Sequence, residues 1–412
     1  MKIGYKWLIL FLLWWAYFLN QADRQLFSIV LPQIKAELQL TDTQLGLIAS
    51  ILTWTFGLLV PVAGFVGDRV SRKKMIGFSL LFWSLATIFT GFCSTLLQFI
   101  FLRGVATGGG EAFYAPAANS LISDEHQKNK SFGLAIHQTA VYCGIILSGL
   151  IAGYIAETYG WRSAFYLFGI FGVLISVIIF LYFKNDIPVR ATQTLSVFSV
   201  GKVLIRKPTF ILLTLAFGCM VFVNIGYLTW MPSLMVEKFH LSLSRAGFSA
   251  LFYHHAGAFL GVIFGGQLAD RFAKTKPVYR LLLQSVALFA GAPFIYWVGM
   301  SDTLIISCLA LFLFGIFRGI YDANIYASIY EVVPSSIKSS ATGIMIMFAF
   351  ITGAFSPLLL GVLKPTLGLS VGISSLWVSY FLGGVFIMIA IVRFFRKDRI
   401  VHTEFNSVTQ KQ

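Results

Sequence analysis

Apolar stretches of about 20 residues, each long enough to cross the hydrocarbon core of a bilayer as a helix, recur twelve times along this 412-residue chain. They run approximately over 6–31, 42–66, 75–93, 96–123, 131–157 and 162–184, then over 209–236, 244–269, 281–299, 302–332, 338–363 and 370–393. A backbone dissolved in lipid must satisfy its own hydrogen bonds, so a chain of this pattern folds as a bundle of helices. Composition agrees: 58% of residues are hydrophobic and only 11% are charged, which no water-soluble fold of this size requires. The expected fold class is an all-α membrane protein with twelve transmembrane helices and the lipid bilayer as its solvent.

A net charge of +15 would point to nucleic acid in a soluble chain. Here most of the 31 Lys and Arg lie in short loops on one side of the expected membrane, among them Arg72, Lys73 and Lys74 after the second span and Arg271, Lys274, Lys276 and Arg280 after the eighth. That asymmetry places both termini in the cytoplasm and removes the case for nucleic acid. The first span holds Trp14, Trp15 and Asp23, is too long for a signal-peptide core and shows no clear cleavage site, so it is read as a retained helix. Cys93, Cys143, Cys219 and Cys308 fall inside spans without paired spacing, which argues against a disulfide framework and a metal site.

The longest polar interruption, 185–208, contains Pro188 and Pro208 and divides the chain into bundles of six spans, 1–184 and 209–395, followed by a cytoplasmic tail, 396–412. The halves repeat. Gly64-Phe-Val-Gly-Asp68-Arg69-Val-Ser-Arg72-Lys73 after the second span is matched by Gly266-Gln-Leu-Ala-Asp270-Arg271-Phe-Ala-Lys274 after the eighth, and Arg103-Gly104 in the fourth span by Arg318-Gly319 in the tenth. Parallel repeats put a solute site at the midplane between the halves.

Ionisable groups inside a membrane are costly, so each is a candidate for function. They are Asp23 and Arg24 in the first span, Arg103 and Glu111 in the fourth, and Arg318 and Asp322 in the tenth. Desolvation favours the neutral form of a carboxylate, which suits Asp23 and Glu111 to carrying protons. Arginine stays charged, so Arg24 or Arg103 is the candidate to hold an anionic group by a bidentate contact. Structural ion pairing is the plain alternative for all of them, including Arg318 and Asp322, four residues apart on one helix face. Gln138, Tyr142, Asn224, Tyr227, Tyr321 and Asn324 are candidate solute contacts, whereas His137, His254 and His255 read better as satisfied bundle histidines. Asp68, Arg69, Arg72, Arg103, Asp270, Arg271, Arg318 and Asp322 are read as gating or structural charges. No P-loop, catalytic elbow or zinc-protease motif occurs, and no loop is long enough for an ATPase domain, so neither a primary pump, an enzyme nor a cofactor is expected.

The loop after the second span resembles the signature of the major facilitator superfamily, G-x-x-x-D-R-x-G-R-K, with Ser71 replacing the second glycine. With twelve spans in two halves, that resemblance covers residues 6–395 and implies two pseudo-symmetric six-helix bundles, alternating access and a monomeric transporting unit. Asn20-Gln-Ala-Asp23-Arg24-Gln, Ala36-Glu-Leu, Thr41-Asp-Thr-Gln44 and Gly110-Glu111-Ala-Phe-Tyr114-Ala-Pro116, with Gly160-Trp161-Arg162, are similar to the Spinster-like and anion:cation symporter branches. Gln21 stands where those branches often carry Tyr. The resemblance implies proton coupling at Asp23 and Glu111 and an anionic solute group facing Arg24. The expected function is proton-coupled symport of a small organic anion, a sugar acid or sialic-acid-like solute, in a bacterial-type inner membrane. The alternative is Spinster-like export of a lysophospholipid, sphingoid lipid or other amphiphile.

Overall fold

The first two rods are separated by a turn whose chemistry is written in Gln39 to Gln44. Gln39 takes the left-handed conformation (φ 52°) that ends the first helix. Thr41 and Gln44 then cap the second reciprocally, the Thr41 hydroxyl accepting from the Gln44 amide at 3.2 Å and the Gln44 side chain accepting from the Thr41 amide at 2.8 Å. The computed structural model describes residues 4–67, 70–184, 197–273, 276–334 and 337–400, and every regular element among them is helical.

In the first half these are α1 (Tyr5–Leu38), α2 (Asp42–Gly67), α3 (Arg72–Thr90), α4 (96–125), α5 (Lys130–Tyr159) and α6 (Trp161–Tyr182). A short helix, α7 (Val197–Ile205), lies in the connection. The second half holds α8 (Pro208–Phe239), α9 (Leu243–Ala273), α10 (Val278–Met300), α11 (Leu304–Tyr330), α12 (338–367) and α13 (369–398). Gly368, at φ 74°, turns the chain between the last two; only glycine adopts that conformation without strain. The long helices among the described residues are consistent with the twelve expected spans. Among the described residues, eight helical stretches are long and apolar enough to cross a membrane, and one of these, Lys338–Asp398, is α12 and α13 together.

Two expectations change. The first helix runs to Leu38 rather than to residue 31, because the polar turn Gln33–Glu37 is made of good helix formers and continues the rod beyond its apolar stretch. The start of the tail is structured: Asp398 is buried, and its carboxylate accepts from the Thr209 amide at 2.8 Å, capping the N-terminus of α8. Asp68, Arg69 and Lys274, and most of the 185–208 connection and of the tail, lie outside the described residues.

Ser71, in the position of the second signature glycine, caps α3 by accepting from the Lys74 amide at 3.4 Å. Within the halves α1 packs on α5, α3 on α6, α9 on α11 and α10 on α13; across them α5 packs on α9 and α2 on α12. Those two cross-half seams are equivalent under the exchange of halves that the sequence repeat implies. They are tight at the end of the molecule carrying the α1–α2 turn. A Cβ on Gly149 would lie 2.5 Å from the Gly247 carbonyl carbon, and one on Gly46 would collide with the Pro357 carbonyl. Among the described residues the hydrogen bonds joining the halves run from the middle toward that same end: Trp54 to Ile351, Ser50 to Leu358, Thr43 to Gly361 and Glu157 to Ser244.

Candidate functional site

Asp23 and Arg24 are neighbours on α1, and neighbours on a helix point about 100° apart, so they cannot pair with each other. Each instead finds a partner on α4. Asp23 Oδ2 meets Arg103 Nη1 at 2.9 Å, and Arg24 Nε meets Glu111 Oε2 at 2.6 Å. The residues of α4 reach both because Ile100–Thr107 is wound as a π-helix, whose wider turn re-aims side chains. Gly108 lets α4 lie against α2, since a Cβ there would sit 2.6 Å from the Leu52 carbonyl oxygen.

The two pairs differ in kind. Asp23 and Arg103 are sealed, 3% and 1% exposed. Arg103 also donates to the Asp23 and Arg24 carbonyls at 2.5 and 3.3 Å, and the Thr87 hydroxyl donates to Asp23 at 3.0 Å. Such a pair holds α1, α3 and α4 together. Arg24 is 18% exposed, and Nε is its only polar atom with a protein acceptor among the described residues. Its guanidinium lies 3.8 Å from the ring centroid of Phe56. Glu111 is fully buried behind it, with Oε1 unpartnered among the described residues.

Arg24 faces a cavity of about 360 Å³ between the halves. Gln21, Gln25, Ser28, Thr53 and Arg103 contribute polar lining from the first half, and Asn224, His255, Arg318, Asp322 and Tyr326 from the second. Apart from Thr229 the remaining wall is apolar, with Phe217, Met220 and Phe350 on the second-half side. Arg318 donates from Nη1 to Asn224 at 2.6 Å and approaches His254 Nε2 at 2.9 Å, and its Nε lies 3.3 Å from Asp322 Oδ2, so the i, i+4 pair read from the sequence is formed.

Of the residues expected to contact the solute, Arg24 and Asn224 line this cavity, and the others do not. Tyr227 is buried and donates its hydroxyl to the Ala250 carbonyl. Tyr321 is also buried, and Asn324 donates to the Ile320 and Gly265 carbonyls at 3.0 and 3.4 Å, satisfying the backbone where α11 is interrupted. Gln138 is exposed outside the cavity, and Tyr142 packs edge-on to His255 and Phe259. Periodicity could not separate these cases, because a polar side chain facing a cavity and one facing a neighbouring carbonyl recur at the same helical spacing. Among the loop charges, Arg72 pairs with Asp124 and Asp270 with Arg280 at 2.8 Å, both within one half, and Arg271 is exposed.

Sequence reasoning did not single out Phe56 or Thr87, nor the network Lys35–Asp42–Lys364–Glu237 at the α1–α2 end. It did quote Ala36-Glu37-Leu38 and Gly160-Trp161-Arg162, and the structure joins them: Trp161 Nε1 donates to Glu37 at 2.6 Å, and Arg162 pairs with the same carboxylate.

Two six-helix bundles closed at one end around a cavity with polar and apolar walls are the architecture of a membrane transporter. The chain belongs to the Major Facilitator Superfamily, whose profile matches residues 13–357. Protein spinster homolog 1 of Xenopus tropicalis is 29% identical over 390 residues, covering 86% of this chain and 72% of the relative. The probable galactarate/D-glucarate transporter GarP of Escherichia coli is 25% identical over 395 residues, covering 87% and 88%. In fold the chain is similar to a bacterial homologue of the human lysosomal transporter Spinster in an inward-facing, unoccupied conformation, with a TM-score of 0.85 at 20% identity over 98% of this chain and all of that one.

Proposed function

We propose that this transporter carries a small organic anion, a sugar acid or sialic-acid-like solute, together with protons, as a monomer in a bacterial-type inner membrane with both termini cytoplasmic. The observation that carries the proposal is the one-sided engagement of Arg24: Nε is held at 2.6 Å by buried Glu111 while the guanidinium faces the cavity. A carboxylate of the solute docks on the free Nη edge in the bidentate geometry that guanidinium favours. It then competes with Glu111 for the same cation.

Loosening Arg24 from Glu111 leaves a buried carboxylate without its counter-ion, and in this reading a proton takes that place, so solute and proton are bound together. Asp23 is the second proton carrier in this reading, acting through the release of Arg103. The cavity volume lies at the small end of the range for small-molecule sites, about 300–1,000 Å³, which favours a compact solute over a lipid.

The test is uptake into liposomes holding the purified protein, with an inward proton gradient and a panel of sugar acids, sialic acid and short-chain lysolipids. Gradient-driven uptake of a hydrophilic acid that collapses in Arg24→Ala and loses its pH dependence in Glu111→Gln is the expected result. Full pH-driven uptake in both Asp23→Asn and Glu111→Gln would overturn the coupling assignment. A second reading, export of an amphiphile, draws on the apolar wall of Phe217, Met220 and Phe350 and on the Spinster relative. Movement of lysolipid alone would establish it instead.

A further inference from the structure

The two halves present the cavity with the same device. Arg24 in the first half hydrogen-bonds Glu111 through Nε at 2.6 Å, Arg318 in the second sets Nε 3.3 Å from Asp322 as an ion pair without a hydrogen bond, and each side chain is partly exposed, 18% and 16%. Arg103, which the sequence repeat aligns with Arg318, behaves differently, since it is sealed against Asp23. In Arg318 the Nη1 edge is further fixed by Asn224 and His254, both bonded from outside α11, and Nη2 has no acceptor among the described residues. A guanidinium oriented through Nη1 and open at Nη2 is a preorganised anion contact. Of the arginines at the cavity, Arg24 and Arg318 are partly exposed to it, whereas Arg103 is sealed against Asp23.

We infer that Arg318 is a second anion clamp, and that the preferred solute is a dianion carrying one carboxylate for each half of the transporter. This deepens the proposed function and rests on its reading of Arg24 as the first clamp. A solute held by both arginines bridges the bundles, so its binding favours the state in which the halves approach across the cavity, while a monoanion engages one bundle only. Asp322 exposes about a third of its side chain and contacts Arg318 through one oxygen, so an incoming carboxylate displaces it as the first displaces Glu111.

The experiment compares two six-carbon sugar acids differing in one carboxylate, galactarate and galactonate, in proteoliposomes holding the full chain, for wild type, Arg318→Gln and Arg318→Lys. The expected result is a preference for the diacid of at least about tenfold in kcat/KM, the effect of one desolvated charged contact. Arg318→Gln lowers galactarate uptake about tenfold more than galactonate uptake, and Arg318→Lys restores part of the difference. A thermal unfolding midpoint in detergent equal to that of wild type serves as the control for folding. Equal uptake of both acids by wild type, or an equal loss of both in the Gln and Lys variants, overturns the second clamp and leaves the anion reading standing. If wild type moves neither acid and moves lysolipid, the anion reading itself fails and the clamp with it.

Discussion

Asp42 opens α2 in the first half, Lys364 lies near the end of α12 in the second, and their side chains meet at 2.9 Å across the closed end of the molecule. The same aspartate holds Lys35 at 2.7 Å and the same lysine holds Glu237 at 2.6 Å, so the signs alternate along a four-residue chain bridging the halves. Lys364 is shielded, at 9% exposure, and its ammonium lies 5.3 Å from the ring centroid of Trp230.

Asp42→Asn leaves Lys364 facing Lys35 without the anion between them, and like charges repel. The closed end then opens more often. A cysteine replacing buried Ser50, whose hydroxyl accepts from the Leu358 amide at 3.2 Å, reports this by reaction with an impermeant maleimide. Labelling should rise several-fold over the Ser50→Cys protein carrying native Asp42, and more strongly at low salt, where the repulsion is unscreened. Unchanged labelling would show that backbone packing at the seams closes this end without the charges.

Arg103 and Asp23 should respond unequally to neutralisation. Arg103→Gln strands a buried carboxylate and releases two carbonyls, and breaking such a pair costs about 3–5 kcal/mol. Asp23→Asn also leaves the Arg103 charge buried without its counter-ion, but the asparagine carbonyl and the carbonyls of residues 23 and 24 still accept from it. Thermal unfolding in detergent should therefore show a large loss for the first and a much smaller one for the second. Equal losses would mean that the charge of Asp23, rather than its geometry, holds the three helices.

The α5–α9 seam depends on having no side chain at Gly149. Its added methyl in Gly149→Ala would lie 2.5 Å from backbone, which cannot move aside as a flexible side chain does. The variant should favour the state open at the α1–α2 end, read as raised labelling at Ser50→Cys with helicity retained. Gly64, where a Cβ meets open space, provides the contrasting site, and Gly64→Ala should leave labelling unchanged.

The number of rods was legible because each apolar run must cover the thickness of a bilayer, and the two-fold repeat was legible because matching motifs recur about half a chain apart. The intramembrane charges stood out for the energetic reason that lipid penalises them. Which charge pairs with which was not legible. Asp23 and Arg24 are adjacent in sequence, and only the winding of α4 through Ile100–Thr107 sends one to Arg103 and the other to Glu111. The tertiary structure likewise separated Asn224, which faces the cavity, from Tyr227, three residues later on the same helix, which turns to the Ala250 carbonyl. Hydropathy specifies what must leave water, but the direction of a polar side chain is set by the neighbour that satisfies it, and that neighbour is often more than 80 residues away, as Glu111 is from Arg24.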